Sequence, residues 1–218
     1  VEKFWTNGVE RQEEFWRRIE RAMVQRKLEA TVATEGRLIS EGPACRMVVL
    51  NPQPRPESSI SAKSESLNNL SVVTELVCRE QRVLFTGDIE REALTRLTHS
   101  GNSAHIALLK VPHHGAKSSL ERRWLETIRP AVGVVSAGRR NPYGHPAGEV
   151  LAAYQAVETQ IWRTDRDGAI WADLDLTRQE LSMHSTREWI LQPALPSADI
   201  WSVEQDNLRR LWRRWNWT

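Results

Sequence analysis

The chain has 218 residues, of which 40% are hydrophobic and 27% are charged, and its formal net charge is +2. This length is enough for one good hydrophobic core, and the composition is typical of a globular protein. The near-neutral charge gives no argument for nucleic-acid binding from total charge. No apolar stretch approaches the roughly 20 residues of a membrane-spanning helix.

The start of the chain and its cysteines give two further expectations. The first residue is Val1 rather than Met, which leads us to expect a piece of a longer polypeptide. The two cysteines, Cys45 and Cys78, lie far apart and fit no metal-ligand spacing. We therefore expect both to be plain core residues, and they leave the redox compartment open.

The first half of the chain predicts a helix, a strand and a hairpin. Residues 6–30 indicate an amphipathic helix, because apolar residues recur at three- and four-residue spacings. These apolar residues are Phe15, Trp16, Ile19 and Met23. A short strand follows at 45–52, and residues 52–66, rich in proline and serine, predict a loop. Residues 70–88 predict a β-hairpin with a polar turn at 79–81.

The second half alternates between helical and strand patterns. Helices are predicted at 90–97, 119–128 and 147–157, and strands at 105–111, 131–137, 160–165 and 169–176. Strands separated by helices of this length indicate an α/β layered fold. Hairpins before and after this alternation, the second with a turn at Asp167–Gly168, predict a mixed sheet rather than a purely parallel one.

The pattern weakens after residue 181, so we predict a main domain at 1–181 and an extension at 182–218. Residues 203–218 indicate a helix rich in tryptophan and arginine, with Leu208, Leu211, Trp212 and Trp215 on one face. Three interpretations stay open for this helix. It could cap the domain, lie on a lipid surface or contact nucleic acid.

Polar side chains follow three of the predicted strands. They are Asp88, the pair His113 and His114, and His145. Ligands in α/β folds gather at the carboxyl ends of strands, so we expect these side chains to share one pocket. A carboxylate and three imidazoles suit zinc or manganese. Each residue also has a simpler interpretation, since Asp88 could cap a helix and His145 could belong to a surface turn.

Four segments together resemble a known family. They are "NNLSVVTELVCREQRVLFTGDIE", "LLKVPHHGAKSS", "VVSAGRRNPYGHP" and "WRTDRDGAI", in order from residue 68 to residue 170. They resemble the metallo-β-lactamase-like domain of ComEC-type DNA-internalisation (competence) proteins. The resemblance implies an αββα sandwich with mixed sheets and a metal-dependent phosphodiesterase or nuclease site with one or two divalent ions.

The resemblance also implies a cellular context. In the family this domain is attached to a channel in the inner membrane that takes up single-stranded DNA, and it is thought to degrade the strand that is not imported. The implied partners are therefore DNA, the channel portion of the same longer polypeptide and other DNA-uptake proteins. We expect the domain on the extracytoplasmic side of the membrane.

The resemblance assigns roles to the polar side chains. Asp88 and His113 would be metal ligands, while His114 and His145 could ligate or act catalytically on the leaving-group oxygen. Gly115 would permit a tight turn that aims both rings. At the start of the next helix, Lys117, Ser118 and Ser119 would bind phosphate, or would only cap that helix.

The sequence departs from the family in its first part. Metallo-β-lactamase-like proteins carry an early HxHxDH motif or a close variant, and this sequence has none. We therefore expect a partial domain that lacks its first strands and has little activity alone, because it offers too few ligands for two ions. The alternatives are a non-catalytic module that binds or guides DNA, and a metallo-hydrolase acting on small molecules.

Overall fold

The computed structural model describes residues 3–9, 14–54, 66–99 and 105–187. The α-helices in these ranges are α1 (Glu14–Gln25), α2 (Arg91–His99), α3 (Arg122–Ile128), α4 (Gly148–Ala156) and the short α5 (Thr164–Asp167). The strands are β1 (Phe4–Thr6), β2 (Ala30–Val32), β3 (Leu38–Glu41), β4 (Cys45–Asn51), β5 (Val73–Cys78), β6 (Gln81–Phe85), β7 (Leu108–Lys110), β8 (Val132–Val135), β9 (Gln160–Arg163), β10 (Ile170–Asp175) and β11 (Glu180–Ser185).

A seven-stranded mixed sheet forms the centre, in the order β3-β4-β5-β6-β7-β8-β9. Strands β3 to β6 pair antiparallel, and β6 to β9 pair parallel. Neighbouring parallel strands need a crossover connection, and α2, α3 and α4 provide one for each successive parallel pair. The predicted α/β class with a mixed sheet is confirmed.

The two faces of this sheet are covered differently. The main core packs one face against the helices, with Leu84 and Leu109 from the strands and Leu94 and Trp124 from α2 and α3. Alternate strand residues point to the other face, where Val83, Leu108 and Val132 pack with Leu181 and Met183 of β11. The helices, the large sheet and the β10–β11 hairpin thus form successive layers. This arrangement is consistent with a metallo-β-lactamase-like sandwich.

Strands β1, β2, β3 and β11 were not predicted from the sequence. Three of them have only three or four residues, too few to show an alternating pattern.

The predicted boundary between residues 181 and 182 falls inside β11. Residues 55–65 of the predicted loop and the predicted helix at 203–218 lie outside the described residues. Within the described ranges, no helix is long and apolar enough to cross a membrane.

The cysteines differ from the expectation. Cys45 and Cys78 lie directly opposite each other on β4 and β5, with their Cα atoms 4.1 Å apart, and they form a disulfide. The prediction of plain core thiols is therefore wrong. The pairing depends on the register of two strands whose cysteines are 33 residues apart, and that register is not readable from spacing alone.

Candidate functional site

Three loops converge at the carboxyl ends of the parallel strands β6, β7 and β8. The loop after β7 is tied to the loop after β6, because the backbone N–H of His113 donates to the carbonyl of Gly87 at 3.2 Å. It is tied to the loop after β8, because the backbone N–H of Ala147 donates to the carbonyl of Gly115 at 2.9 Å. These hydrogen bonds bring the predicted residues of all three loops to one edge of the sheet.

Asp88 faces His114. The distance from Nε2 of His114 to Oδ1 of Asp88 is 3.6 Å, and Nδ1 of His114 lies 2.6 Å from the carbonyl oxygen of Ser136. A carbonyl oxygen only accepts hydrogen bonds, so Nδ1 must carry the proton. In the neutral ring, Nε2 then presents a lone pair towards a carboxylate. A cation between these two acceptors, either a proton or a metal ion, satisfies both.

His113 faces a different carboxylate, Glu90. Nδ1 of His113 lies 3.4 Å from Oε1 of Glu90, which also accepts hydrogen bonds from Ser118 at 3.1 Å and Asn68 at 3.3 Å. Burial alone would raise the pKa of Glu90, but hydrogen bonds from Asn68, Ser118 and Ser66 and the charge of His113 outweigh it and lower the pKa. Glu90 is therefore held as a carboxylate that orients the His113 ring.

His145 completes the group of rings. Its ring centroid is 6.0 Å from that of His113. Asn141 fixes the backbone of His145 on both sides, accepting from its N–H at 2.9 Å and donating to its carbonyl at 2.8 Å. Burial lowers the pKa of His145, and the nearby charges of His113 and His114 lower it further. These effects favour the neutral form of His145, which can ligate a metal or accept a proton.

The turn that carries the two histidines has an unusual backbone. His113, His114 and Gly115 have φ angles of 44°, 56° and 78°. The first two lie in the left-handed region, which disfavours residues with a Cβ, so the surrounding structure must enforce them. A Cβ on Gly115 would lie 2.6 Å from the Cβ of Pro146, so only glycine fits between the two loops. The predicted tight turn at Gly115 is confirmed.

A lysine lies beneath the Asp88 loop. Nζ of Lys110 donates to the carbonyl of Gly87 at 3.0 Å and lies 3.7 Å from Oδ1 of Asp88. Burial lowers the pKa of Lys110, and the charge of Asp88 opposes this shift. Asp88 therefore has a cationic neighbour as well as the His114 ring.

The three residues predicted to bind phosphate are placed differently from one another. The hydroxyl of Ser119 is buried and lies within hydrogen-bond distance of the carbonyls of Pro112 and Ala116, and Ser118 donates to Glu90. Lys117 is exposed and pairs with Glu149 at 3.1 Å. They lie in a short 3-10 turn, and none of them caps α3. Lys117 is the charged residue of the three, and its side chain is exposed to solvent.

Four residues that shape the site were not predicted from the sequence. Glu90 faces Nδ1 of His113, and Asn68 donates to Glu90. The carbonyl of Ser136 sets the proton position on His114, and Asn141 fixes the backbone of His145. The signals were present, since Glu90 lies two residues after Asp88 and Asn141 lies four before His145. However, a glutamate beside a helix and polar residues in a loop are also ordinary features of structure, so the sequence did not mark these residues as functional.

The donor atoms fit a divalent ion in kind but not in number. Carboxylate oxygens and imidazole nitrogens suit zinc or manganese, and Asp88 and His114 present one of each to a common space. Among the residues that the structure describes, no group of three or more His, Cys, Asp or Glu is arranged to hold a metal ion. Asp88 and His114 are thus two candidate ligands.

Comparison with known proteins places the chain near three bacterial relatives. It is 32% identical over 105 residues to ComE operon protein 3 of Bacillus subtilis, and 30% identical over 105 residues to Recombination protein 2 of Haemophilus influenzae. It is 29% identical over 133 residues to the uncharacterized protein YcaI of Escherichia coli. The first two matches each cover 48% of this chain, and the third covers 61%. The predicted resemblance to ComEC-type proteins is confirmed.

These relatives are much longer than the matched region. It spans 14% of ComE operon protein 3, 13% of Recombination protein 2 and 17% of YcaI. No protein-family model matches the chain. Among solved structures, the chain is similar to a protein of Parabacteroides distasonis that is proposed to be a metal-dependent hydrolase. The match covers 67% of this chain and 62% of that protein, at 12% sequence identity. Its TM-score of 0.40 is too low for that likeness to define the fold.

Proposed function

We propose that the chain is the hydrolase portion of a ComEC-type DNA-internalisation protein, and that it cleaves phosphodiester bonds in the DNA strand that is not imported. The sequence similarity to ComE operon protein 3 and Recombination protein 2 supports the protein class. The observation that carries the chemistry is the contact between Asp88 and His114, with a second imidazole–carboxylate pair beside it. Such pairs are frequent in sites that bind metal and transfer protons.

The contacts favour particular roles. Asp88 and His114 would hold the divalent ion, zinc or manganese, because their acceptor atoms face each other at 3.6 Å. This geometry favours His114 over His113 as the partner of Asp88. Further ligands would come from a segment outside the described residues. When bound, the ion supplies Lewis acidity that polarises a phosphoryl oxygen.

The other two imidazoles would move protons. Glu90 faces Nδ1 of His113, so Nε2 is the atom left to donate a proton to the leaving-group oxygen. Burial and the neighbouring imidazoles favour the neutral form of His145, whose ring lies beside that of His113, so we assign it as a proton acceptor. Two imidazoles in different environments can divide acid and base roles in this way.

The disulfide supports the location of the proposed domain. Disulfides form and persist in oxidising compartments and are rare in the cytosol. The bond between Cys45 and Cys78 therefore supports an extracytoplasmic position. In this proposal the chain is part of a longer polypeptide whose other portion forms the membrane channel, as the greater length of the relatives suggests.

The test compares this chain with a longer polypeptide that includes a preceding HxHxDH segment. Both are incubated with end-labelled single-stranded DNA and manganese or zinc. We expect chelator-sensitive cleavage by the longer polypeptide and little by the 218-residue chain, because catalytic zinc sites normally use three protein ligands and a water. Cleavage by neither form contradicts the nuclease proposal. Strong cleavage by the chain alone contradicts the assignment of ligands to another segment.

A second candidate function is a non-catalytic module that guides DNA. The lack of a three-ligand cluster among the described residues favours it. DNA binding that is equal with and without metal, together with no cleavage by the longer polypeptide, distinguishes this function from hydrolysis.

A further inference from the structure

Tyr143 presents an aromatic ring to solvent at the edge of the site. Its side chain is 78% exposed, and its ring stacks on that of His145 with centroids 5.8 Å apart and planes 15° apart. One face of the tyrosine ring is thus turned to His145 and the other remains open. A single exposed aromatic residue is common, but this one is stacked on a histidine of the proposed site.

The loop that carries Tyr143 is held in place by its own hydrogen bonds. The side chain of Asn141 donates to the carbonyl of Gly138 at 2.9 Å and to that of His145 at 2.8 Å. It also accepts from the N–H of His145 at 2.9 Å. A ring on a fixed loop loses little conformational freedom when a flat ligand stacks on it.

The same loop carries two cations. Arg139 and Arg140 are both exposed, and neither has an acidic partner within the part of the chain that the structure describes. A guanidinium that is exposed to solvent can bind a phosphate group with two parallel hydrogen bonds. The loop therefore presents an aromatic face and cationic groups a few residues apart.

We propose that Tyr143 is a base-stacking residue that receives an unpaired nucleobase, while Arg139 and Arg140 bind the adjacent phosphates. Aromatic platforms combined with basic residues are how proteins bind single strands without reading their sequence. Bases in a duplex are already stacked on each other, so the open ring of Tyr143 selects single-stranded nucleic acid. This inference rests on the proposed function, and it names a residue that selects the substrate.

Stacking on Tyr143 would also fix the position of the nucleic-acid strand relative to the imidazoles. His145 stacks on one face of Tyr143 with a lateral offset, and His113 is the next ring, 6.0 Å from His145. A base on the open face of Tyr143 thus places a neighbouring phosphodiester close to the imidazoles. Tyr143 is in this view a positioning residue and takes no part in proton transfer.

The experiment measures binding without cleavage. Anisotropy of a labelled 12-nucleotide oligothymidylate is followed in the presence of a chelator, for the unchanged chain and for Tyr143→Ala and Tyr143→Phe. Phe15→Ala is the matched control, since Phe15 is an aromatic residue on α1 that is 70% exposed. We expect Tyr143→Ala to weaken binding about five- to 100-fold. Tyr143→Phe and Phe15→Ala should stay within about twofold of the unchanged chain, because both keep the stacking ring.

An abasic strand of the same length separates stacking from charge. The unchanged chain and Tyr143→Ala should bind this strand equally, because it retains phosphates but has no bases. Equal binding of oligothymidylate by Tyr143→Ala and the unchanged chain, with unchanged melting temperatures, overturns the inference and leaves the proposed function standing. Tyr143-dependent binding in a polypeptide that never cuts DNA supports the inference and contradicts the nuclease proposal.

Discussion

His114 faces Asp88 across two loops that follow different strands, with Nε2 3.6 Å from Oδ1, while its neighbour His113 faces Glu90. Adjacent residues thus serve separate carboxylates. The ring centroids of the two histidines are 6.2 Å apart and their planes are 62° apart, so their nitrogens reach different carboxylates. The consequence is that the two histidines should respond differently to substitution.

The first prediction concerns metal affinity. In a polypeptide that includes the HxHxDH segment, His114→Ala should weaken zinc binding by more than the roughly 10- to 100-fold that loss of an outer partner costs. His113→Ala should stay within that range, because its ring faces Glu90 rather than Asp88. Competition with a chromophoric chelator measures both. A larger loss for His113→Ala than for His114→Ala contradicts the assignment.

The second prediction concerns Glu90 as a positioning residue. Glu90→Gln removes the charge opposite Nδ1 of His113, and we expect kcat for DNA cleavage to fall about 10- to 100-fold with KM little changed. Glu92→Gln is the control, since Glu92 lies two residues further on, in α2, and pairs with Arg96 instead.

The ring nitrogens of His113 report the same change without activity. Nitrogen-15 NMR should show a redistribution of the proton between Nδ1 and Nε2 in Glu90→Gln and none in Glu92→Gln. Identical His113 spectra in both variants would show that Glu90 has only a structural role.

The third prediction concerns the disulfide. Replacing Cys45 and Cys78 together by serine should lower the free energy of unfolding by about 3 to 4 kcal/mol, as expected for a closed loop of 33 residues. Denaturant unfolding with and without dithiothreitol measures this. The reductant should destabilise the unchanged chain by a similar amount and leave the double variant unaffected. Equal stability of the two proteins without reductant would contradict the pairing.

The fourth prediction uses the pair Arg163 and Asp165, whose side chains are each 13% exposed. Hydrogen bonds from Arg163 at 2.6 and 3.0 Å lower the pKa of Asp165 against the opposing effect of burial. The stability that Asp165 contributes is therefore present above its unfolded-state pKa and lost as pH falls through the lower folded-state pKa.

Asp165→Asn should accordingly cost about 1.5 to 3 kcal/mol at pH 7. The difference from the unchanged chain should shrink as pH falls below about 3.9. Urea unfolding at several pH values measures it, and Asp173→Asn, at an exposed residue, is the control. A difference that is constant with pH would show that the pair is not the cause.

The sequence predicted which residues come together at this edge of the sheet but not how their side chains pair. Asp88, His113, His114 and His145 were identifiable because carboxyl ends of parallel strands meet at one edge of a sheet. Which ring faces which carboxylate depends on backbone angles in a single turn, and no periodicity encodes these angles. Glu90 was not predicted as a site residue, because a glutamate just before a helix is already explained by its favourable interaction with the helix dipole.

The fold was predictable to a similar depth. Strands β5 and β6 form a hairpin, strands β6 to β9 alternate with helices, and all five carry strong apolar patterns, so their existence and order followed from the sequence. Strands β1 and β2 have three residues each and are defined by pairing across the chain. Cys45 and Cys78 are likewise brought together by the pairing of β4 with β5. Such pairing between distant segments cannot be deduced from local composition.

The most direct test of the central claim is cleavage of single-stranded DNA by the polypeptide with the HxHxDH segment, comparing Asp88→Asn with the unchanged protein. Asn keeps the size of the side chain but removes the charge that would hold an ion. We expect chelator-sensitive cleavage in the unchanged protein and a loss of at least about 100-fold in Asp88→Asn, with the melting temperature unchanged. Cleavage by Asp88→Asn at the unchanged rate would contradict the site.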